Sequence, residues 1–206
     1  MNEKKINDLK QKIYEKENLI NIEEDAYYKE FQEEIRSIFQ KADFHYCIFH
    51  KVIIQDGIFD GSTFDNVIFE ECDFSNVSFR ECDFHNVLFK ECKFIGAIFI
   101  DSYFKETLMV ECDGRYSNFD HSHIQKMEIK LSNLEESFFS FSQFKDFSVD
   151  QVNFTKADFT HTNLQDIDFS TSKIQNIKID IPSLKGMIVD LEGAMQIIGV
   201  IGVKIK

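Results

Sequence analysis

The sequence predicts an all-β chain wound into a four-sided solenoid, and three observations carry that reading. Every fifth residue from Phe44 to Val189 is a sizeable apolar group, Gly114 alone excepted, and eighteen of the twenty-three phenylalanines stand in this series. The residue two places earlier is small or β-branched, as in Ala42, Val52, Gly57, Ser62 and Val67, and all five cysteines (Cys47, Cys72, Cys82, Cys92, Cys112) are among these positions. The residues that follow each large group are mostly polar, as at 75–76 and 85–86.

Residues two apart on an extended chain share a face, so each unit aims one large and one small side chain inward. The polar residues interrupt that alternation, and the chain must turn a corner every five residues to bring the next pair in. Four corners close a coil of about twenty residues, stacked on its neighbours by main-chain hydrogen bonds at about 4.8 Å per coil. The series then makes about seven and a half coils, a rod on the order of 36 Å long. Phenylalanines fill the narrow lumen by stacking on the coil below, and the small residues sit where the corners crowd the backbone. Inward hydroxyls at Ser122, Ser132, Ser137, Ser142, Thr162 and Ser172 are expected to bond to nearby backbone.

Ala42-Asp43-Phe44, Cys72-Asp73-Phe74, Cys82-Asp83-Phe84, Ala157-Asp158-Phe159 and Thr162-Asn163-Leu164 resemble the A(D/N)LXX unit of the pentapeptide-repeat family. The resemblance covers about residues 42–189 and implies a right-handed quadrilateral β-helix.

Outside the repeat, residues 1–40 contain neither Pro nor Gly. Ile6, Leu9 and Ile13 fit a helical stripe, Tyr27, Phe31, Ile35 and Ile38 fit a second, and Asn21 with Glu24 resembles a capping box between them. Two N-terminal helices are therefore expected, as a cap on the open end of the solenoid or as a partner-binding arm. The solenoid is expected over residues 41–189. After it, Asp190 can cap a short helix followed by an extended apolar tail to residue 206. This tail resembles the C-terminal element of the Qnr and MfpA-like branch of the family, which implies a homodimer built through Met195, Ile197, Ile198, Val200 and Ile201. A simple C-terminal plug is the other reading.

The formal charge is −13, which disfavours direct contact with nucleic acid or anionic membranes and favours basic proteins. The first residues hold no apolar leader core, and the late run IIGVIGV is too short to span a bilayer, so a cytoplasmic protein is expected. Between residues 43 and 181 there are twenty-four Asp and Glu against twelve Lys and Arg. Glu71, Glu91 and Glu111 share one outward column, with Asp60, Glu70, Glu81, Asp101 and Asp120 close by in the repeat, and these eight form the expected acidic partner-binding face. Ile48, Ile68, Leu88 and Leu108 share an outward column in four successive coils, supplemented by Ile53, Ile58, Ile95, Ile98 and Ile100. Such a stripe is expected to be covered by the N-terminal helices or by a partner.

Nothing in the sequence points to catalysis, a cofactor or a metal. His45, Asp65 and His85 form one outward column, and Asp101, Asp120, His121 and His123 gather near another corner, but both groups lie on a convex surface. Cys72, Cys92 and Cys112 form an inward column, where small core residues belong. Resemblance to Qnr and MfpA-like proteins implies an acidic rod that mimics DNA, occupies the DNA-binding saddle of DNA gyrase or topoisomerase IV and protects against fluoroquinolones. The chain lacks the loop insertions of many Qnr proteins and carries an N-terminal extension that the branch does not usually show. An interaction scaffold that is not a DNA mimic is the alternative.

Overall fold

A computed structural model describes Asp8, Gln11, Glu15–Lys16, residues 25–27, 29–31, 34–35 and 38–39, and then 41–54 and 56–203. The chain winds into stacked coils with four walls. Six successive coils place strands on the first wall, from Asp43–His45 to Gln143–Lys145, and on the second, from Ile48–His50 to Ser148–Asp150. The third and fourth walls are held by single parallel bridges such as Asp73↔Lys93 and Ser78↔Ile98, and bridging continues to Asp168↔Ile188. Partners stand one coil apart, as in Phe84↔Phe104 and Phe89↔Met109.

The five-residue series occupies the lumen. On the first wall Phe44, Phe64, Phe84 and Phe104 stack with centroids 5.1, 5.0 and 4.7 Å apart. On the fourth, one aromatic column runs from Phe59 to Phe159, with rings 4.8–5.1 Å apart at each step. Rings that follow one another around a coil meet edge to face, as Phe69 and Phe74 do at 90°, so the lumen is packed in both directions. Phe74 and Phe94 stack 6.0 Å apart on the third wall, and the column below them stops at Gly114. There a Cβ would meet Leu134 Cδ2 at 2.6 Å: the leucine of the next coil fills the space that Gly114 leaves.

The small positions do a second job. Ser62, Ser102, Ser122, Ser142 and Thr162 each donate to the carbonyl of the phenylalanine 23 residues earlier, at 2.6–2.7 Å. Cys72 and Cys82 make the same contact through Sγ at 3.2 and 3.1 Å. The cysteines stand in for serines, and burial pushes the Cys82 thiol up to about 12.

Nearly every corner turns on one residue with positive φ, and most of these are not glycine: Tyr46, Lys51, Asn66, Glu71, Asn86 and Glu91 lie at φ 54–56°. Non-glycine residues in this region cost about 1 kcal/mol or more each. Their N–H groups are used by the ladder, as in Tyr46 N–H to Asp65 O at 3.0 Å and Glu71 N–H to Lys90 O at 2.9 Å. The stacking that repeats at every coil offsets the strain.

The second N-terminal helix does not form. Asp25–Tyr27, Lys29–Phe31 and Glu34–Ile35 are strands, and Ala26 pairs with Phe44, Phe31 with Phe49 and Ile35 with Ile54. Phe31 is wholly buried with its ring 4.8 Å from Phe49, and Phe39 stacks 5.0 Å from Phe59. The solenoid therefore starts below residue 41. Its first coil is two residues short, the offset growing from 18 at Ala26 to 20 at Ile38. Sides of four residues give apolar groups the i, i+4 spacing of a helix, which is why the segment fits a helical stripe although it forms strands. Asp8 and Gln11 are helical; the rest of the first helix, with Asn21 and Glu24, lies outside the described residues.

At the far end a 3-10 turn, Ile181–Leu184, leads into the helix Leu191–Val200, whose first turn is capped by Asp190 Oδ1 accepting from Gly193 N–H at 2.8 Å. Among the described residues no helix is long and apolar enough to cross a membrane.

Candidate functional site

The described residues contain no group of three or more His, Cys, Asp or Glu able to hold a metal. His45, Asp65 and His85 do stand in one column, with Nδ1 of His85 2.9 Å and Nδ1 of His45 3.6 Å from the Asp65 carboxylate. Asn66 Nδ2 donates to the same carboxylate at 2.8 Å. This is a partly exposed surface column in which the Asp65 carboxylate lies between two imidazoles and accepts a hydrogen bond from Asn66. The ring of His121 stacks on Phe141 with centroids 5.1 Å apart.

The eight acidic residues do not share one face. Winding order places Glu71, Glu91 and Glu111 on the edge between the second and third walls, with Glu70 beside them. Glu81 and Asp101 lie on the edge between the fourth and first walls, with Asp60 and Asp120 beside them. In a four-sided coil these edges are diagonally opposite.

The two edges differ in freedom. On the first, Lys51 Nζ lies 3.5 Å from Glu71, and Lys90 Nζ lies 3.4 Å from Glu70 and 3.1 Å from Glu91. These exposed pairs are individually weak and salt-sensitive. On the second, Asp60 Oδ1 accepts from Ser78 Oγ at 2.6 Å and Arg80 N–H at 3.0 Å, and Asp120 Oδ1 accepts from Ser140 N–H at 2.7 Å. Burial pushes the Asp120 carboxyl above the usual aspartate range, with the Ser140 hydrogen bond opposing. Asp60 and Asp120 thus brace the wall, whereas Glu81 and Asp101 are exposed.

Along the second edge the acidic column gives way to aromatic rings that the five-residue pattern passed over. Phe141 lies between His121 and His161, with centroids 5.1 and 4.6 Å away, and is 51% exposed at φ 58°. A large apolar side chain at a strained, solvent-facing corner carries two local costs, and that conjunction is the signal that could have found it.

The apolar column is sealed. Ile48, Ile68 and Leu88 are buried and form a cluster apart from the lumen, with Tyr46, Leu108 and Val110 packed against it. At the C-terminus, Ile197 packs against the end of the core, whereas Met195, Val200 and Ile201 are exposed and Ile198 is half-buried. Leu191, at the start of the same helix, is the most exposed of the large apolar groups there. An open groove of about 590 Å³ runs along the third wall between Glu111, Leu131, Asn133, Asn153 and Lys173.

Two family profiles match this architecture: "Pentapeptide repeat region" over residues 82–149, and "Pentapeptide repeats (8 copies)" over 58–96 and 139–176. The chain belongs to the pentapeptide-repeat family. No curated protein matches it in sequence. Among solved structures it is similar to HetL, a pentapeptide-repeat protein involved in heterocyst differentiation regulation from the cyanobacterium Nostoc sp. strain PCC 7120, at 13% identity and TM-score 0.50, over 80% of this chain and 89% of that one. Trypsin-treated QnrB1, a plasmid-mediated fluoroquinolone resistance protein, aligns at 17% identity over 84% of this chain and 95% of its own, with TM-score 0.36. A pentapeptide-repeat protein of the Arabidopsis thaliana thylakoid lumen aligns at 27% identity over 52% of this chain and 68% of its own, with TM-score 0.27.

Proposed function

We propose that this pentapeptide-repeat protein is a non-enzymatic cytoplasmic binding protein whose carboxylate edges engage a basic, DNA-binding protein surface, with a type II topoisomerase as the expected partner. The observation that carries this reading is the acid excess of the rod, twenty-four carboxylates against twelve cationic side chains between residues 43 and 181. A duplex presents two negative strands on either side of its axis, with one phosphate per about 3.4 Å of strand. The rod offers two carboxylate-bearing edges on opposite sides, with Glu71, Glu91 and Glu111 repeating at about 4.8 Å. Such an array attracts a basic saddle from a distance and is screened by salt.

The test is DNA supercoiling by gyrase with and without the protein. Micromolar protein is expected to alter the reaction at low salt, with the effect fading as salt rises and lost when Glu71, Glu91 and Glu111 are all changed to Lys. Unaltered supercoiling at low salt sinks the topoisomerase reading. A second reading, an interaction scaffold that does not imitate DNA, draws support from the exposed His121–Phe141–His161 stack; it predicts binding that survives the triple substitution and is lost on Phe141→Ala.

A further inference from the structure

The edge between the fourth and first walls changes character along its length. Winding order stacks Glu81, Asp101, His121, Phe141 and His161 one coil apart at corners of positive φ, and Ile181 opens the 3-10 turn in the coil that follows. Glu81 and Asp101 are exposed and, among the described residues, enter no ion pair and no side-chain hydrogen bond. On the diagonal edge Glu71 and Glu91 already have Lys51 and Lys90 beside them. Phe141 and Ile181 are 51% and 68% exposed, so large apolar groups face water in the coils beyond the carboxylates. The Phe141 ring is flanked on both sides by the imidazoles of His121 and His161, and Asp180 Oδ1 fixes the last of these corners by accepting from His161 N–H at 2.7 Å. A ring already clamped in this way loses little freedom when a partner covers it, which suits it to anchor an interface.

We propose that this edge docks an amphipathic helix of a partner protein, with lysine or arginine opposite Glu81 and Asp101 and leucine-like groups opposite the stretch from His121 to Ile181. The proposal rests on the scaffold reading and supplies its ligand class. Charge complementarity calls for the cations, because the two carboxylates have no described counter-ion in a rod that is already rich in acid. Spacing selects the helix. The apolar stripe of a helix advances by three and four residues alternately, about 5.3 Å per contact at about 1.5 Å per residue, against about 4.8 Å per coil. Five steps from Glu81 to Ile181 cover about 24 Å, and a helix of about eighteen residues spreads six stripe positions over about 25 Å. Each coil therefore meets one side chain of the partner. An extended strand returns to the same face only every 6.7 Å or about that, so it overshoots the coils by about 2 Å at each contact. The order of the contacts also sets the direction of the helix, with its cationic end held against the carboxylates and its apolar end covering Phe141 and Ile181.

The test is fluorescence anisotropy of a labelled synthetic peptide titrated with the full-length protein at physiological salt. The peptide is an alanine–glutamine helix of about eighteen residues with lysine at its first two stripe positions and leucine at the other four; its control carries one proline in the middle, off the stripe. The helical peptide is expected to bind at least tenfold more tightly than the control. Phe141→Asn, whose new side chain tolerates the corner backbone and keeps the circular dichroism of the rod, is expected to weaken it at least tenfold, as is the pair Glu81→Lys with Asp101→Lys. Glu71→Lys with Glu91→Lys, the full width of the rod away, is expected to change it less than threefold. Equal affinity for the two peptides, with both lost on Phe141→Asn, overturns the helix and leaves the scaffold reading standing. Binding that is indifferent to Phe141→Asn overturns both. No binding of either peptide, or equal losses from the two charge reversals, overturns the helix proposal.

Discussion

Nearly every corner residue of the described coils carries a conformational cost that its own identity does little to reduce. Glycine occupies the corner at Gly61 and Gly96, but Leu131 turns at φ 49° and is 49% exposed. Asparagine tolerates this backbone far better than leucine because its short polar side chain can bond locally. Leu131→Asn is therefore expected to stabilise the protein by about 0.5–1 kcal/mol, read as a raised midpoint in chemical denaturation; a lowered midpoint would show that Leu131 makes contacts worth more than its strain. The inward residues were legible in the sequence because their size alternates with the period. The corner residues were not, because αL geometry is imposed by the coil and leaves almost no compositional trace: Tyr46, Lys51, Glu71 and Phe141 have nothing else in common. Phe147 shows the limit from inside the lumen. It occupies a small-residue position, stacks 4.5 Å from Phe144, and leaves that ring only partly buried.

At the scale of elements, the strands of the regular coils could be placed from spacing alone, whereas the irregular first coil could not. Tyr27, Phe31, Ile35 and Ile38 satisfy a helical template because a wall shortened by one residue repeats every four. Only pairing with Phe44, Phe49 and Ile54 across a coil separates the two readings, and a single sequence does not display pairing. The C-terminal helix was placed correctly, but its two roles fall on different sides. Ile197 and the buried Gly193 face the end of the core, and Leu191, Met195, Val200 and Ile201 face solvent. If the exposed side is a self-association surface, Met195→Glu with Ile201→Glu converts a dimer into a monomer in light scattering while leaving the melting of the dilute monomer within about 1 kcal/mol of the parent. A wild-type chain that is monomeric at high micromolar concentration removes the idea.

For the molecule as a whole, net charge was legible but its distribution was not. A count of twenty-four carboxylates is independent of winding, yet assigning them to a face requires knowing that residues ten apart stand on opposite corners. Glu71 with Glu81, and Glu91 with Asp101, are neighbours in the repeat and are divided by the full thickness of the rod. A partner that reads one edge is blind to the other, so charge reversal at Glu81 and Asp101 reports on a different contact from reversal at Glu71, Glu91 and Glu111.

The aromatic columns have a bearing on how the protein assembles. Three of the four are interrupted partway along, at Ile124 after Phe104, Met109 after Phe89 and Gly114 after Phe94, and regain a single ring each at Phe144, Phe169 and Phe154, whereas the fourth runs unbroken to Phe159. Because each coil touches only the coils next to it, cohesion is a local property that can vary from one end to the other. Amide exchange in the native state is expected to be slowest over residues 59–104 and progressively faster toward 188, with uniform protection refuting the gradient. On that gradient, folding is expected to start in the aromatic half and add turns outward, and under stress the aliphatic end is expected to fray first.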